Sequence, residues 1–275
     1  QYHTPSKGGF KSKSLNILKG YKATLALIFC STVFFISFLF PVLQMLYWTV
    51  IFPKHLADLN LIELFLNTIL LVFLSSILLI TLAFISNYGN RVSKSKFLEI
   101  LTTFSISGYA IPGIILAVAF ITFVSWFDNN IINFFGFNTI KSIFIGSTFG
   151  LVIVYFIRFY SLASNGIKSG YLKINYSIDE SAYLLGYSKF KTFKDIHIPY
   201  LKNSMLLIGI LIAIEIIKEL PITLIMRPFN FETFATTAYV FASQDLLEAA
   251  AAPSLFLILI ASFFIIITSR YILKD

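Results

Sequence analysis

Two stretches of the chain combine residue types and spacings that could do chemistry. Near the end of an apolar run, Glu215, Lys218 and Glu219 stand at i, i+3 and i+4, just ahead of Pro221. On one helix these three would share a face, and charges inside an apolar run are costly enough to point to a task. Two carboxylates turned to the centre of a helix bundle would favour a hard cation or its hydrated form. In the plainer reading, Glu215 and Lys218 neutralise each other while Glu219 reaches the interface. The second stretch, Ser177-Ile-Asp-Glu180, has capping-box spacing. The Ser177 hydroxyl would accept from the Glu180 amide, and the Glu180 carboxylate would reach back. This predicts a short helix from Ile178 through Leu185, ended by Gly186 in the left-handed conformation. Ser188 would cap a second, lysine-rich helix through about Ile196, and Pro199 fits the first turn of the helix after it.

Other chemistries lack their residues. The sequence has no G-x4-G-K-[ST] loop to cradle nucleotide phosphates, no G-x-S-x-G elbow and no H-E-x-x-H pair. No catalytic or cofactor-binding residue is assigned. His3, His55 and His197 lie far apart, so no metal cluster is predicted, and the single Cys30 excludes an internal disulfide.

The elements that must position these residues are legible in the composition. Of the 275 residues, 57% are hydrophobic and 12% charged, against roughly 25% charged in soluble domains. That excludes a disordered chain, a secreted disulfide scaffold and an ordinary soluble enzyme. The apolar runs, at about Ala23–Trp48, Leu64–Phe84, Phe97–Phe127, Ser142–Leu162, Ser204–Leu220 and Ala251–Ile272, match the ~20 residues of a membrane-crossing helix. They are too long and continuous for barrel strands. The predicted class is an all-α polytopic membrane protein with about six spans. The third run carries a breaker, Gly108-Tyr-Ala-Ile-Pro112-Gly113, so it is either an in-plane helix followed by a span or one broken span.

Basic residues alternate between the two sides. On one side fall Lys7, Lys11, Lys13, Lys19 and Lys22, then Arg91, Lys94 and Lys96. The same side takes Arg158, Lys168, Lys173, Lys189, Lys191, Lys194 and Lys202, and lastly Arg270 and Lys274. The other side holds only Lys54, Lys141, Lys218 and Arg227, a split of 17 against 4. The positive-inside rule then predicts both termini in the cytoplasm, and the basic balance reports topology rather than nucleic-acid binding. Residues 1–22 read as a basic cytoplasmic tail or linker, 23–275 as the membrane domain. Two hydrophilic segments could do work, the cytoplasmic 161–203 and the outer 221–250. The outer one carries Arg227 and Glu232.

Glu180-Ser181-Ala182, three residues, Gly186, nine residues, Ile196, one residue and Ile198-Pro199 resemble the EAA motif, E-A-A-x3-G-x9-I-x-L-P. That motif marks the membrane subunits of binding-protein-dependent ABC importers. Ser181 for an Ala and Ile198 for Leu are the departures, both small changes in size. Lys218-Glu-Leu-Pro221 through Arg227-Pro-Phe-Asn-Phe-Glu232-Thr-Phe-Ala-Thr236, Gly108–Gly113 and Leu247–Ala250 further resemble segments of ferric-iron permeases. The likeness is strongest to the C-terminal half of a fused, two-halved iron(III) permease. A basic linker between such halves would account for a chain that starts at Gln1.

The resemblance implies a type I ABC importer permease fold in a bacterial inner membrane. It also implies a second permease half, a dimer of ATPase subunits and a periplasmic binding protein as partners. Residues Ser177–Pro199 would be the coupling loop that docks on the ATPase, and tight capture of iron would belong to the binding protein. Sister permeases for thiamine, phosphonate, polyamines or sulfate share this layout. An ion-coupled secondary transporter, with Glu215 and Glu219 as its ion site, is the alternative from another class, and it has no reason to carry the EAA string.

Overall fold

The computed structural model describes residues 18–93, 95–135 and 144–272. The basic tail through residue 17, Lys94, Lys141 and Lys274 lie outside the described residues. Helix α1 is Tyr21–Ile51, α2 Pro53–Ala57, α3 Leu61–Ser93, α4 Lys96–Ile106 and α5 Gly113–Phe135. Then follow α6 Thr148–Tyr171, α7 Tyr176–Leu184, α8 Lys189–Ile217, α9 Pro221–Met226, α10 Phe234–Ser243 and α11 Leu247–Ile272. No strand occurs among the described residues. The chain divides into a leading unit, Gln1–Gln44, and a larger one, Met45–Asp275; the larger holds both candidate sites described below.

Among the described residues five helices, α1, α3, α6, α8 and α11, are long and apolar enough to cross a membrane. A sixth crossing is reached if the bent pair around Pro112 counts as one span, its halves Lys96–Ala110 and Gly113–Asp128 being bent by 118° relative to each other. The break follows from the sequence. A 3₁₀ turn, Ser107–Ala110, ends in extended backbone at Ile111, the conformation that a following proline imposes.

The core forms where α3, α6 and α8 meet. Leu71, Leu79 and Ala83 of α3, Leu151, Phe159, Ala163 and Ile167 of α6, and Leu201, Ile208 and Ile212 of α8 are buried there. In lipid, apolar side chains gain little by leaving the acyl chains, so close packing has to hold helices together. Gly166 and Gly170 of α6, four residues apart, provide it: an added Cβ would press on Ile208 at 2.7 Å and on Leu201 at 2.9 Å.

Several helix ends differ from the sequence expectation. Helix α6 runs on to Tyr171, so Arg158, counted above among the loop charges, lies inside it. No separate second helix ends near Ile196: Lys189–Ile217 is continuous through a π-helical turn, Phe193–His197. Pro199 therefore sits within a long helix, and the wider turn just before it absorbs the hydrogen bond that its ring removes. A second π turn, Phe35–Leu39, stands the same two residues ahead of Pro41 in α1.

Candidate functional site

The EAA string folds as a helical hairpin, α7 followed by the start of α8. Its N-cap is Asn175, whose side chain accepts from the Ser177 amide at 3.2 Å. The expected Ser177–Glu180 capping box is not formed, because α7 begins two residues earlier, at Tyr176. Asn is as good a cap as Ser, and taking it leaves both Ser177 and Glu180 exposed.

At the other end Gly186 adopts φ +80°. Its amide donates to Tyr183 O at 3.0 Å, and the Tyr187 amide donates to Ala182 O at 3.0 Å. These two bonds make the Schellman pair that a left-handed residue after a helix permits. Ser188 caps α8, accepting from Lys191 N at 3.2 Å. An added Cβ on Gly186 would meet nothing within 4 Å, so its cost is backbone strain alone, about 1–2 kcal/mol. Gly186→Ala is therefore expected to open the hairpin locally, speeding hydrogen exchange at the Gly186 and Tyr187 amides roughly 5- to 30-fold. Unchanged exchange there would show that the turn does not depend on glycine.

The hairpin presents an apolar surface. Leu184 is 89%, Leu185 79% and Phe190 72% exposed, with Lys189, Lys191 and Lys194 around them in sequence. A cleft of about 370 Å³ opens between α7 and α8, lined by Ser177, Ser181, Ala182, Leu185, Asp195 and Ile196 among others. Ala182 is itself buried, Ile196 half-buried, and Ile198 and Pro199 lie on the exposed side of α8.

Beneath the hairpin lies a cluster that spacing could not reveal. The Asp179 carboxylate, buried, accepts from Arg91 Nε at 2.7 Å through Oδ2. Its Oδ1 stands 2.8 Å from Nε2 of the fully buried His197. A carboxylate oxygen can only accept, so Nε2 carries the proton. The same Arg91 donates through Nη2 to Ile174 O at 3.0 Å and Asn175 O at 3.1 Å, and its guanidinium lies 4.2 Å from the Tyr176 ring. The sequence shows only that His197 lies far from the other two histidines, and Arg91 counts there only as a topology charge. Their partners lie 18 and 88 residues away in the chain.

The second charged cluster lies at the two helix breaks. Helix α8 ends at Ile217 with Lys218 as its C-cap, so Glu215, Lys218 and Glu219 do not share a helical face as expected. Lys218 and Glu215 pair with each other at 2.8 Å in a partly exposed setting. Glu219 instead turns inward and is buried. Its Oε2 faces Arg158 Nε at 3.4 Å, and its Oε1 accepts from Ile222 N at 3.3 Å. Arg158 Nη1 donates to Ile111 O at 2.7 Å, the carbonyl freed at the Pro112 break. Tyr155 hydrogen-bonds Thr223, whose hydroxyl donates to Glu219 O at 2.6 Å. Gly113 leaves room for the pair, since a Cβ there would stand 3.0 Å from Glu219 Oε1. Pro221 opens α9 at its first turn, where its missing N–H costs nothing. One ion pair thus ties the break after α4 to the break after α8.

In the expected outer segment, Arg227 and Glu232 form an ion pair across a turn in which Asn230 has φ 58°. Glu232 also accepts from Thr236 Oγ1 at 2.8 Å, and Thr233 with Thr236 makes the capping box that starts α10. Asn67 Nδ2 donates to Glu232 O at 3.0 Å, fastening this turn to the start of α3. Both residues therefore have structural partners within the chain.

No family model matches the chain. Over 276 aligned residues it is 20% identical to the Fe(3+)-transport system permease protein FbpB 2 of Haemophilus influenzae, with 99% of this chain and 52% of that protein covered. The chain thus spans about half the length of that curated relative. Among solved structures, it superposes on a bacterial ABC transporter involved in the import of the acidic polysaccharide alginate with a TM-score of 0.66 at 17% identity, covering 90% of this chain and 95% of that one. The bacterial alginate ABC transporter in complex with an alginate pentasaccharide-bound periplasmic protein gives 0.68 at 16%, covering 90% and 93%. In sequence and in fold, the chain is similar to ABC importer permeases.

Proposed function

We propose that this chain is one transmembrane half of an ATP-driven importer for iron(III), its α7–α8 hairpin docking on a separate ATPase subunit. The observation that carries the reading is the hairpin itself. It displays Glu180, Leu184 and Leu185 outward from a short helix closed by Gly186, and Phe190 from the first turn of α8, beside a cleft sized for a partner's side chains. Exposed leucines and a phenylalanine on a polar, lysine-bearing loop call for a protein surface to cover them. Glu180 offers a carboxylate to a base on that surface.

The likeness to an Fe(3+)-transport permease supports the cargo, and the likeness to a transporter solved with a periplasmic protein supports capture by a binding protein. The basic residues put the hairpin and both termini in the cytoplasm. The outer turn at Arg227 and Glu232 then faces the binding protein. Glu215, paired with Lys218, and Glu219, paired with Arg158, both stand at the end of α8, and Arg158 reaches across to the Pro112 break. There they balance charge along the path instead of holding a metal tightly. Nucleotide and loaded binding protein drive alternating access through their preference for different states of the permease.

The test is ATP hydrolysis and iron uptake in proteoliposomes holding the full-length permease, its ATPase and its binding protein. Fe(III)-loaded binding protein is expected to stimulate both. Glu180→Lys should cut the stimulation by about ten-fold or more, within the usual ~5- to 150-fold coupling between sites. Stimulation only by a different loaded solute would discard iron and keep the permease. Full stimulation in Glu180→Lys and Gly186→Pro would discard the hairpin as the docking element.

A further inference from the structure

Asp179 and His197 are buried at the base of the hairpin, and Arg91, half-buried as a residue, has its side chain only 6% exposed beside them. Their geometry joins three elements at one carboxylate, and Arg91 extends the contact to a fourth, α6. Asp179 belongs to α7, Arg91 to the last turn of α3, and His197 to the π turn inside α8. Arg91 also reaches Tyr171 O at 3.5 Å at the end of α6, and Ile174 O and Asn175 O in the link to α7. A cation among the carbonyls that end a helix is favourably placed.

Aromatic rings seal this cluster. His197 lies 5.1 Å from the Tyr88 ring and 5.4 Å from that of Tyr171. Phe193, in the same π turn, is held against Phe84 at 4.8 Å and Tyr88 at 4.7 Å. Tyr88 also donates to Lys189 O at the first turn of α8.

Resting on the reading of the hairpin as the docking element, we propose that Arg91–Asp179–His197 is the joint through which displacement of α7 moves α3, α6 and α8 as one body. The physical reason is desolvation. Once buried, the Asp179 and Arg91 charges cannot part without being left unpaired away from water. Sliding α7 alone is therefore far costlier than carrying the three helix ends with it. A hairpin bound only by apolar contacts would slip, because such contacts have no fixed direction. Asp179 meets each of its two partners through a different oxygen, so translation and rotation of α7 are both resisted. The three are positioning residues: they act through the helices they connect and meet no cargo.

Two measurements on Asp179→Asn and Arg91→Lys test the joint. The first is ATP hydrolysed per Fe(III) delivered, in proteoliposomes of the full complex, with the amount of ATPase subunit that co-purifies as a control. Both variants are expected to retain the ATPase and to spend about ten-fold more ATP per iron, again inside the ~5- to 150-fold range. The second is the spin–spin distance distribution between labels on α3 and α7 in the full chain in nanodiscs, with Cys30 replaced by Ser. Gly89, where an added side chain meets nothing within 4 Å, and the exposed Leu184 take the labels.

A narrow distribution that broadens in Asp179→Asn supports the joint. Unchanged ATP per iron together with an unchanged narrow distribution overturns it. If Asp179→Asn does not accumulate, Arg91→Lys, which keeps the charge and loses the forked geometry, gives the same two readouts. An absence of Fe(III)-stimulated hydrolysis in the unaltered protein would sink the importer reading, while the label pair would still decide the joint.

Discussion

Arg158→Met is expected to be among the most damaging single substitutions in this chain, and Glu219→Gln should repair part of the loss. A methionine side chain would fill much of the arginine's volume but leave the buried Glu219 carboxylate with only the Ile222 amide as a partner. Removing one partner of a buried ion pair costs about 3–5 kcal/mol, because the remaining charge stays desolvated. Against a total stability of roughly 5–15 kcal/mol, that is a large share. Neutralising both residues removes the stranded charge, and replacing both members of such pairs is often close to neutral. The double variant should therefore be more stable than Arg158→Met alone.

Ile111 O would still lack its donor in the double variant, so recovery should be partial. Thermal unfolding in detergent, run as a double-mutant cycle, measures this coupling directly. If the two single effects simply add, Arg158 and Glu219 do not form the pair described. Transport by the double variant separates the two roles of the pair. Recovered stability without recovered uptake would mean that the charges at the breaks are needed for the cargo as well as for the fold.

Much of the fold was legible because apolar length in a membrane chain is an almost direct measurement. The runs Ala23–Trp48, Leu64–Phe84 and Ala251–Ile272 lie within α1, α3 and α11, and the breaker at Pro112 falls at the observed bend. Gly186 and Ser188 were legible because turn and cap chemistry acts over a few residues. Interactions between helices were not legible. Helical spacing reports neighbours on one element only, and it placed Glu219 beside Glu215 and Lys218. The helix stops at Ile217, after which helical spacing no longer applies, and Glu219 swings to a partner 61 positions earlier in the chain. Asp179 was legible only as an interior residue of a capping box. Its burial between Arg91 and His197 depends on how α3 and α8 pack, which no local pattern encodes. Pro199 misled for a related reason, since the π turn that accommodates it leaves no mark on the apolar pattern.

A close approach of backbone to backbone in the core makes the other large prediction. Gly108 lies in the 3₁₀ turn before the bend and is buried against α6. A Cβ there would overlap the Ile157 carbonyl oxygen and stand 3.1 Å from the carbonyl carbon. A side chain could rotate away from such a clash, but a helix backbone cannot, so the turn itself would have to withdraw from α6. The same turn delivers Ile111 O to the guanidinium of Arg158, the residue after Ile157. Gly108→Ala should therefore carry both an overpacking cost of about 1–3 kcal/mol and the loss of a charge-assisted hydrogen bond worth about 1.5–3 kcal/mol. Gly89→Ala is the matched control. It lies within α3, its Cβ would meet open space, and alanine there should stabilise the helix by about 0.5–1 kcal/mol. At about 2–4 °C per kcal/mol for a chain of this size, the two variants should melt on opposite sides of the parent protein. Equal melting temperatures for Gly108→Ala and Gly89→Ala would mean that the turn is not seated on α6. The Arg158–Glu219 pair would then have to hold the two breaks together without a close-packed backbone beside it.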